Sequence, residues 1–452
     1  MKSSHSTEIA LVGAGLCGSL LAIFLARRGF EVKVFEKRPD MRRIKQSGGR
    51  SINLALSHRG IRALEKVQIA DHILQNAIPM YGRLLHDLGG DLTFVPYGKN
   101  RSEYINSISR AGLNMELMNI AESYEQVEFF FGQECEKIDF ETGRLYFKES
   151  GKTELSVVDA QVIIGTDGAG SVIRQAMLDL DGYQGSTQFL EHGYKELTIP
   201  ASETGSFVIE ENGLHIWPRG SFMLIALPNP DGSFTCTLFL ANQGAEGFEG
   251  LQHPNQISDF FQKYFPDAYR LMPDLVTEFL QNPVGLLGTV KCAPWSADNR
   301  ALVLGDAAHA IVPFYGQGMN ASFEDCLVLD QCIEAYGKDW GKVFSHFEAL
   351  RKENTDAIAA LAIENFYEMR DGVADETFLK VRRLEHLLEN QYPDYHSKYS
   401  LVTFHPDITY AQARQRGNLQ NEILLEVCRQ IDAIEEVNLE ILYQKLKEKI
   451  GF

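Results

Sequence analysis

Apolar and polar positions divide the chain into short buried strands alternating with amphipathic helices. Residues 8–12 read as an apolar strand, 16–28 as a helix closed by Gly29, and 31–36 as a second strand. Such a unit of about 30 residues has the size of a nucleotide-binding βαβ element. Residues 40–62 are polar and rich in Arg and Gly, and predict a loop leading into a helix. Residues 84–97 predict two strands joined at Gly89-Gly90, 107–123 a helix entered through a polar turn, and 127–147 paired strands. A compact strand at 162–165 ends at Asp167-Gly168. From 180 to 290, alternating apolar positions, aromatics and turns such as Pro228-Asn229-Pro230-Asp231-Gly232 predict an antiparallel sheet layer. Residues 301–304 form another buried strand, and from Gly318 the period is helical almost to the end, with 418–450 an amphipathic helix. No repeat or low-complexity linker interrupts the chain, which predicts a compact assembly.

Residues 9–26 carry no charge over 18 positions, a length that approaches a membrane span. Gly13, Gly15 and Gly18, spaced GxGxxG, change that reading to strand, phosphate-cradling turn and buried helix. Gly13 permits the tight turn, Gly15 lets backbone approach a pyrophosphate, and Gly18 allows close helix packing. Glu36 ends the next strand, where a carboxylate accepts ribose hydroxyls. A second motif, VIIGTDGAGSVIR at 162–174, delivers Asp167 to the end of a strand; Asp167 or Ser171 also suits a helix N-cap. A third, at 301–325, sets Asp306 at a strand end, where it suits the ribityl hydroxyls of a flavin. Gly316 and Gly318 then turn into a helix whose start, at Met319-Asn320, offers amides to an anion.

The 452 residues suggest two to four domains or one interleaved unit. With 44% hydrophobic and 23% charged residues, the composition is that of a globular protein and excludes global disorder. A net charge of −18 argues against nucleic acid as a partner. Seven cysteines without CxxC spacing read as reduced thiols and name no metal site, and no signal peptide is expected. His58, His86 and His309 lie far apart in sequence and read as structural.

The three motifs, in this order, resemble the single-component FAD-dependent aromatic hydroxylases of the para-hydroxybenzoate hydroxylase type. Segments 50–60 (RSINLALSHRG), 96–110 (PYGKNRSEYINSISR), 233–239 (SFTCTLF), 313–320 (PFYGQGMN), 364–371 (ENFYEMRD) and 399–413 (YSLVTFHPDITYAQA) are similar to the kynurenine 3-monooxygenase family within that group. The resemblance implies an α/β fold. A Rossmann-like FAD-binding domain (1–75, 101–178, 291–330) is interleaved with an antiparallel-sheet substrate domain (76–100, 179–290). A helical C-terminal region (331–452) covers the active site.

It further implies a flavoprotein monooxygenase that hydroxylates L-kynurenine at ring position 3. NADPH and O2 would be consumed through a flavin C4a-hydroperoxide, within tryptophan catabolism and pyridine nucleotide biosynthesis. The chemistry is flavin-borne, so no catalytic side chain is named. Arg83 and Tyr97 are the implied anchors of the substrate carboxylate, with Asn365 and Tyr399 at the amino-acid end and Tyr395 as an alternative to Tyr399. Leu214, Ile225, Leu227, Phe239, Pro313 and Phe314 are the apolar positions for the ring. Implied flavin contacts are Gly13, Gly15, Cys17 (by backbone), Gly18, Phe35, Glu36, Lys37, Arg38, Ala55, Arg110, Asp167, Asp306, Gly318, Met319 and Asn320. Tyr315 departs from the Phe or His expected of the family. Eukaryotic members carry a hydrophobic C-terminal anchor. Charges throughout 418–450 point instead to a cytoplasmic, bacterial-type enzyme without one, with a homodimer as the candidate assembly.

Three other readings stay open. One is a related flavin hydroxylase acting on another aromatic acid. Another is a halogenase or reductase, against which Trp217, Trp295 and Trp340 stand isolated and form no WxWxIP segment. The last is a non-catalytic membrane-associated binding protein.

Overall fold

Aliphatic and β-branched runs make the central strands of the first unit. They are buried on both faces, as parallel strands between helices must be. In the computed structural model, residues 5–43, 53–371 and 376–451 are described. Arg50, Ser51 and Ile52, which open one segment of resemblance, lie outside the described residues. The chain forms two compact units. The first comprises Met1–Asn76, Ile108–Phe189 and Gly288–Ala359; the second comprises Ala77–Ser107, Leu190–Leu287 and Ala360–Phe452. The sequence reading sets its limits at 75, 100, 178, 290 and 330, and assigns 331–359 to the helical region rather than to the first unit.

In the first unit, parallel strands lie in the order Val127–Phe131, Val32–Glu36, His5–Val12, Leu155–Gly165, Ala301–Val303. Counted along the chain this is 3-2-1-4-5, the doubly wound order, which reverses between His5–Val12 and Leu155–Gly165. Ligands of such sheets bind beyond the carboxyl ends of the strands at that reversal. Val12 pairs with Gly165 and Phe35, and Gly165 pairs with Val303. The register therefore brings the three sequence motifs out of the sheet side by side. Leu16–Arg27, buried over most of its length, packs against Arg110–Glu122 and Gly318–Tyr336.

Two local readings change. The helix predicted from 107 starts at Arg110, because Ile105–Ser109 is a strand and the Ser109 hydroxyl caps the helix by accepting the Gly112 amide. Within 127–147, Gln133–Asp139 and Arg144–Glu149 pair antiparallel, whereas Val127–Phe131 joins the parallel sheet, and Gly132, at φ +67°, turns the chain out of it.

In the second unit, strands follow in the order Gln184–Ile199, Phe234–Ala241, Phe222–Pro228, Gly213–Arg219, Gly82–His86, Leu92–Pro96. All neighbours are antiparallel except Gly213–Arg219 with Gly82–His86. One sheet face, with Trp217, Leu224, Phe234 and Leu238, packs against Phe260, Phe261, Phe265 and Phe279. These phenylalanines belong to or adjoin the helices Pro254–Tyr264 and Leu275–Gln281, so 180–290 is not sheet throughout. Their recurrence at helical spacing is the signal that the alternating reading overlooked.

Helices Glu376–Gln391, Tyr410–Cys428 and Leu439–Ile450 close around Val381, Leu388, Tyr395, Leu424 and Leu446. The single helix predicted over 418–450 breaks after Cys428, and a new one begins where Asn438 caps the Ile441 amide at 3.1 Å. Among the described residues no helix is long and apolar enough to cross a membrane.

Candidate functional site

The glycine turn has one demand at each glycine. Gly13 sits at φ +107°, and a methyl there would lie 2.5 Å from the Thr166 carbonyl oxygen. A methyl on Gly18 would lie 2.0 Å from the Gly13 carbonyl oxygen, so the helix start and the turn touch backbone to backbone. Gly15, the N-cap of Leu16–Arg27, has no neighbour among the described residues where its methyl would point, which leaves its backbone open to a ligand. Thr166 ties the turn to the next strand through bonds from its amide to Val12 (2.8 Å) and from its hydroxyl to Gly13 (2.8 Å).

Glu36 is buried at the end of its strand. Its carboxylate accepts the Ala14 amide at 3.0 Å and the Arg38 guanidinium at 2.7 Å. Burial alone would raise its pKa, but Arg38 and these amides hold it below the usual carboxylate value, so it stays an acceptor beside the turn. Phe35 stacks on Phe147 at 4.3 Å and presents its carbonyl to the Gly13 amide. Lys37, Arg38 and Arg110 are exposed. Cys17 points its thiol at Cys326, with the sulfurs 3.9 Å apart, and at the Ser322 carbonyl. Its side chain is thus turned into the protein and its backbone lies in the first turn of the helix.

Of the two N-cap candidates Ser171 takes the cap, its hydroxyl accepting the Arg174 amide at 3.0 Å, while Asp167 Oδ2 accepts the Val172 amide at 2.7 Å. Asp167 Oδ1 is buried without a hydrogen-bond partner among the described residues, and burial raises the carboxyl pKa. Arg174, which the sequence reading passed over, bridges the carbonyls of Ala169 and Ala307 and so joins the second motif to the third.

In the third motif the strand ends earlier than predicted, and Asp306 opens the short helix Asp306–His309 after Gly305 at φ +61°. No protein group among the described residues donates to the half-buried Asp306 carboxylate. Gly305 is fixed from behind: its amide donates to buried Asp325 at 3.0 Å, and Asp325 also binds His309 Nε2 at 2.6 Å and Arg351 Nε at 2.6 Å. His309 thus has a positioning role. Asn320 spends its side chain on Ser57 and on the carbonyls of Ala55 and Gly316 (all 2.9 Å), so only its backbone is left for a ligand. Gly318 and Met319 lie in the first turn of Gly318–Tyr336. Pro313 is exposed and Phe314 half-buried in a single 3-10 turn, while Tyr315 is buried.

The second unit gathers most of the remaining residues on the sheet face opposite the phenylalanine helices. Arg83 is in register with Leu214, Ile225 with Ile216, and Phe239 with Met223. Leu227 lies two residues beyond Ile225 on the same strand, so Arg83, Leu214, Ile225, Leu227 and Phe239 share one face. The Arg83 guanidinium lies over Tyr399 at 4.6 Å and over Tyr97 at 5.4 Å, and the two rings stack at 5.5 Å. Among the described residues no carboxylate pairs with Arg83. The buried Tyr97 hydroxyl makes no geometrically formed hydrogen bond among the described residues, with Arg83 and Tyr399 its polar neighbours, and burial pushes its pKa well above the ordinary phenol range, so it stays protonated. Asn365 is half-buried on Trp340–Asp371, beside Phe366, whose ring meets His192 edge-on at 5.1 Å. Tyr395 is fully buried in the helical core.

His86 is structural as well. It bridges Asp267 (2.9 Å) and His215 (2.8 Å), and Asp267 also accepts the Trp217 indole at 2.7 Å. Against burial, which would raise it, these donors hold the Asp267 pKa at about 2.

A family model described as "FAD binding domain" matches residues 6–343. A kynurenine 3-monooxygenase of Myxococcus xanthus is 48% identical, over 100% of this chain and 97% of that protein. One of Dictyostelium discoideum is 44% identical, over 98% of both. Two solved structures share the fold: 2-methyl-3-hydroxypyridine-5-carboxylic acid oxygenase, at TM-score 0.66 and 19% identity over 92% of this chain and 98% of that one; and p-nitrophenol 4-monooxygenase of Pseudomonas putida, at 0.65 and 17% over 94% and 98%.

Proposed function

Since the chain belongs to the kynurenine 3-monooxygenases, a family built on this FAD-binding domain, we propose that its two groups of site residues divide the hydroxylation of L-kynurenine between them. It is an FAD-dependent monooxygenase, and hydroxylation of another aromatic acid is not favoured. The observation that carries the substrate assignment is Arg83. It is a half-buried guanidinium stacked on two tyrosines with no carboxylate beside it among the described residues.

A guanidinium in that state has two parallel donors left for a carboxylate, and the donor hydroxyl of Tyr97 adds a third bond. The α-carboxylate of an amino acid satisfies all three. Tyr399 holds the guanidinium plane, and Asn365 completes the amino-acid end. Leu214, Ile225, Leu227 and Phe239 continue the same sheet face with apolar surface, which suits the aminophenyl ring. Keeping water from the reacting ring is the contribution asked of these side chains.

The first unit suits FAD on three counts. Among the described residues, the space beside Gly15 is open, the Asp306 carboxylate has no donor, and buried Asp167 Oδ1 lacks a partner. Gly13, Gly15, Gly18 and Cys17 would hold the pyrophosphate by backbone, with Phe35, Glu36, Lys37 and Arg38 at the adenosine end. Asp167 and Asp306 would accept polyol hydroxyls, and Ala55, Arg110, Gly318, Met319 and Asn320 would lie at the ring system. Pro313 and Phe314 would add apolar surface there. When bound, FAD supplies oxygen activation and transfer of one oxygen atom to the substrate ring. The amides at the start of Gly318–Tyr336 would favour negative charge on the bound group.

We take NADPH as the reductant, the cytoplasm as the location and a homodimer as the assembly to be tested. If kynurenine binding licenses reduction, NADPH oxidation by the purified holoprotein rises at least tenfold when L-kynurenine is added. Equal rates with and without it would refute substrate control.

A further inference from the structure

The sequence reading names no metal ligand, yet the second unit assembles three. Glu103 lies on the strap that follows Tyr97, and His396 and His405 flank the helix Lys398–Phe404. One ligand atom from each lies within 4.8 Å of the other two. His405 Nε2 is 3.9 Å from Glu103 Oε1, too long for a hydrogen bond, and the two imidazoles lie with centroids 3.9 Å apart, tilted by 49°. The other Glu103 oxygen accepts the Lys99 amide at 2.9 Å, which fixes the carboxylate and leaves Oε1 turned to His405. His396 Nδ1 is buried and makes no hydrogen bond among the described residues. Its carbonyl accepts Gln420 Nε2 at 3.0 Å, which anchors the segment carrying the ring.

We propose that Glu103, His396 and His405 bind one divalent transition cation, of which zinc is the type. Two imidazole nitrogens and one carboxylate oxygen are a donor set suited to that ion, with water in the fourth position. Metal–ligand distances of about 2.0–2.2 Å put tetrahedral ligand atoms roughly 3.3 Å apart, so the cluster closes by about 1.5 Å at most. Rotation of the half-buried imidazoles supplies such a shift.

The position gives the ion a task. Tyr97 precedes the strap and Tyr399 lies on the helix between the two histidines, and both rings flank Arg83. Lys99 already pins the strap to the carbonyls of Tyr392 (3.1 Å) and Pro393 (3.0 Å). A cation joining Glu103 to His396 and His405 adds a second tie and holds the two tyrosines in one relation. Metal binding stands on the three ligands alone. Its effect on substrate rests on the substrate reading of Arg83, Tyr97 and Tyr399.

The test uses the full-length, FAD-loaded protein after dialysis against a chelator. Zinc is titrated in competition with a chromophoric chelator, for wild type and for His396→Gln and His405→Gln. Expected is one zinc per chain in wild type, with at least tenfold weaker binding at that site in each variant. The metal-free melting temperature and FAD content of the variants should match wild type. Equal stoichiometry and affinity in all three proteins would overturn the site, as would no binding by wild type at micromolar zinc. In a second arm, zinc changes the kynurenine Kd of wild type at least threefold and leaves that of His405→Gln unchanged. Zinc bound without such a change would overturn the coupling. Failure of the metal-free wild type to bind kynurenine would instead strike the substrate reading.

Discussion

Arg83 is held by two phenol faces instead of a carboxylate, and this decides what it can recognise. Replacing it with Ala removes a bidentate charge-assisted contact worth about 1.5–3 kcal/mol, so the kynurenine Kd should rise roughly tenfold to more than a hundredfold. Tyr97→Phe removes one donor and should sit at the low end of that range. Flavin difference spectra read both affinities, and FAD content per chain should stay unchanged. A fully active, tight-binding Arg83→Ala protein would defeat the assignment. At this scale the glycine motif was legible because each demand is local: a left-handed φ at Gly13, a backbone contact at Gly18. Arg83 was legible only through resemblance, since nothing in its neighbours announces that Tyr399 will lie over it. Arg174, Asp325, His396 and His405 stayed hidden because their partners are set by the fold and not by a spacing.

Among the elements, the turn at 13–18 separates two roles that sequence treats alike. Gly18→Ala drives a methyl against the Gly13 carbonyl, so it should destabilise even the FAD-free protein by several °C and abolish stable FAD binding. Gly15→Ala meets nothing among the described residues, so the FAD-free melting temperature should move by only about 1–2 °C while FAD affinity falls at least tenfold. Thermal melts and FAD titration of the two apoproteins distinguish the roles; equal destabilisation by both would contradict them.

The sheet makes a pH prediction. Burial pushes the His215 pKa down to about 4, against the pull of the Glu210 carbonyl. The unfolded chain, with its imidazole near 6.5, takes up the proton first as pH falls, so the stability from neutral His215 is present above about 6.5 and is lost toward 4. The loss is on the order of 3 kcal/mol. Melting temperature should therefore fall more steeply over that window in wild type than in His215→Gln, and parallel curves would refute it. The parallel sheet was readable element by element from apolar runs. The helices within 254–281 were not, because phenylalanines at helical spacing look like strand aromatics when the surrounding pattern alternates.

For the molecule as a whole, the uncharged run at 9–26 became a strand, a turn and a helix at the switch point of a doubly wound sheet. The net charge of −18 concealed how anions would be handled, by backbone amides, helix starts and the Arg83 guanidinium, which has no carboxylate partner among the described residues. Order along the chain carried the fold, since the three motifs follow the strands whose register lays them side by side. Chain order alone did not show which helices belong to the first unit, because Trp340–Asp371 crosses from one unit into the other. The most direct test of the central claim is product identification by mass spectrometry and chromatography, after the purified FAD-loaded protein is incubated with L-kynurenine, NADPH and O2. One 3-hydroxykynurenine formed per NADPH consumed is the predicted result; unchanged kynurenine with NADPH lost to hydrogen peroxide, or hydroxylation at another ring position, would contradict it.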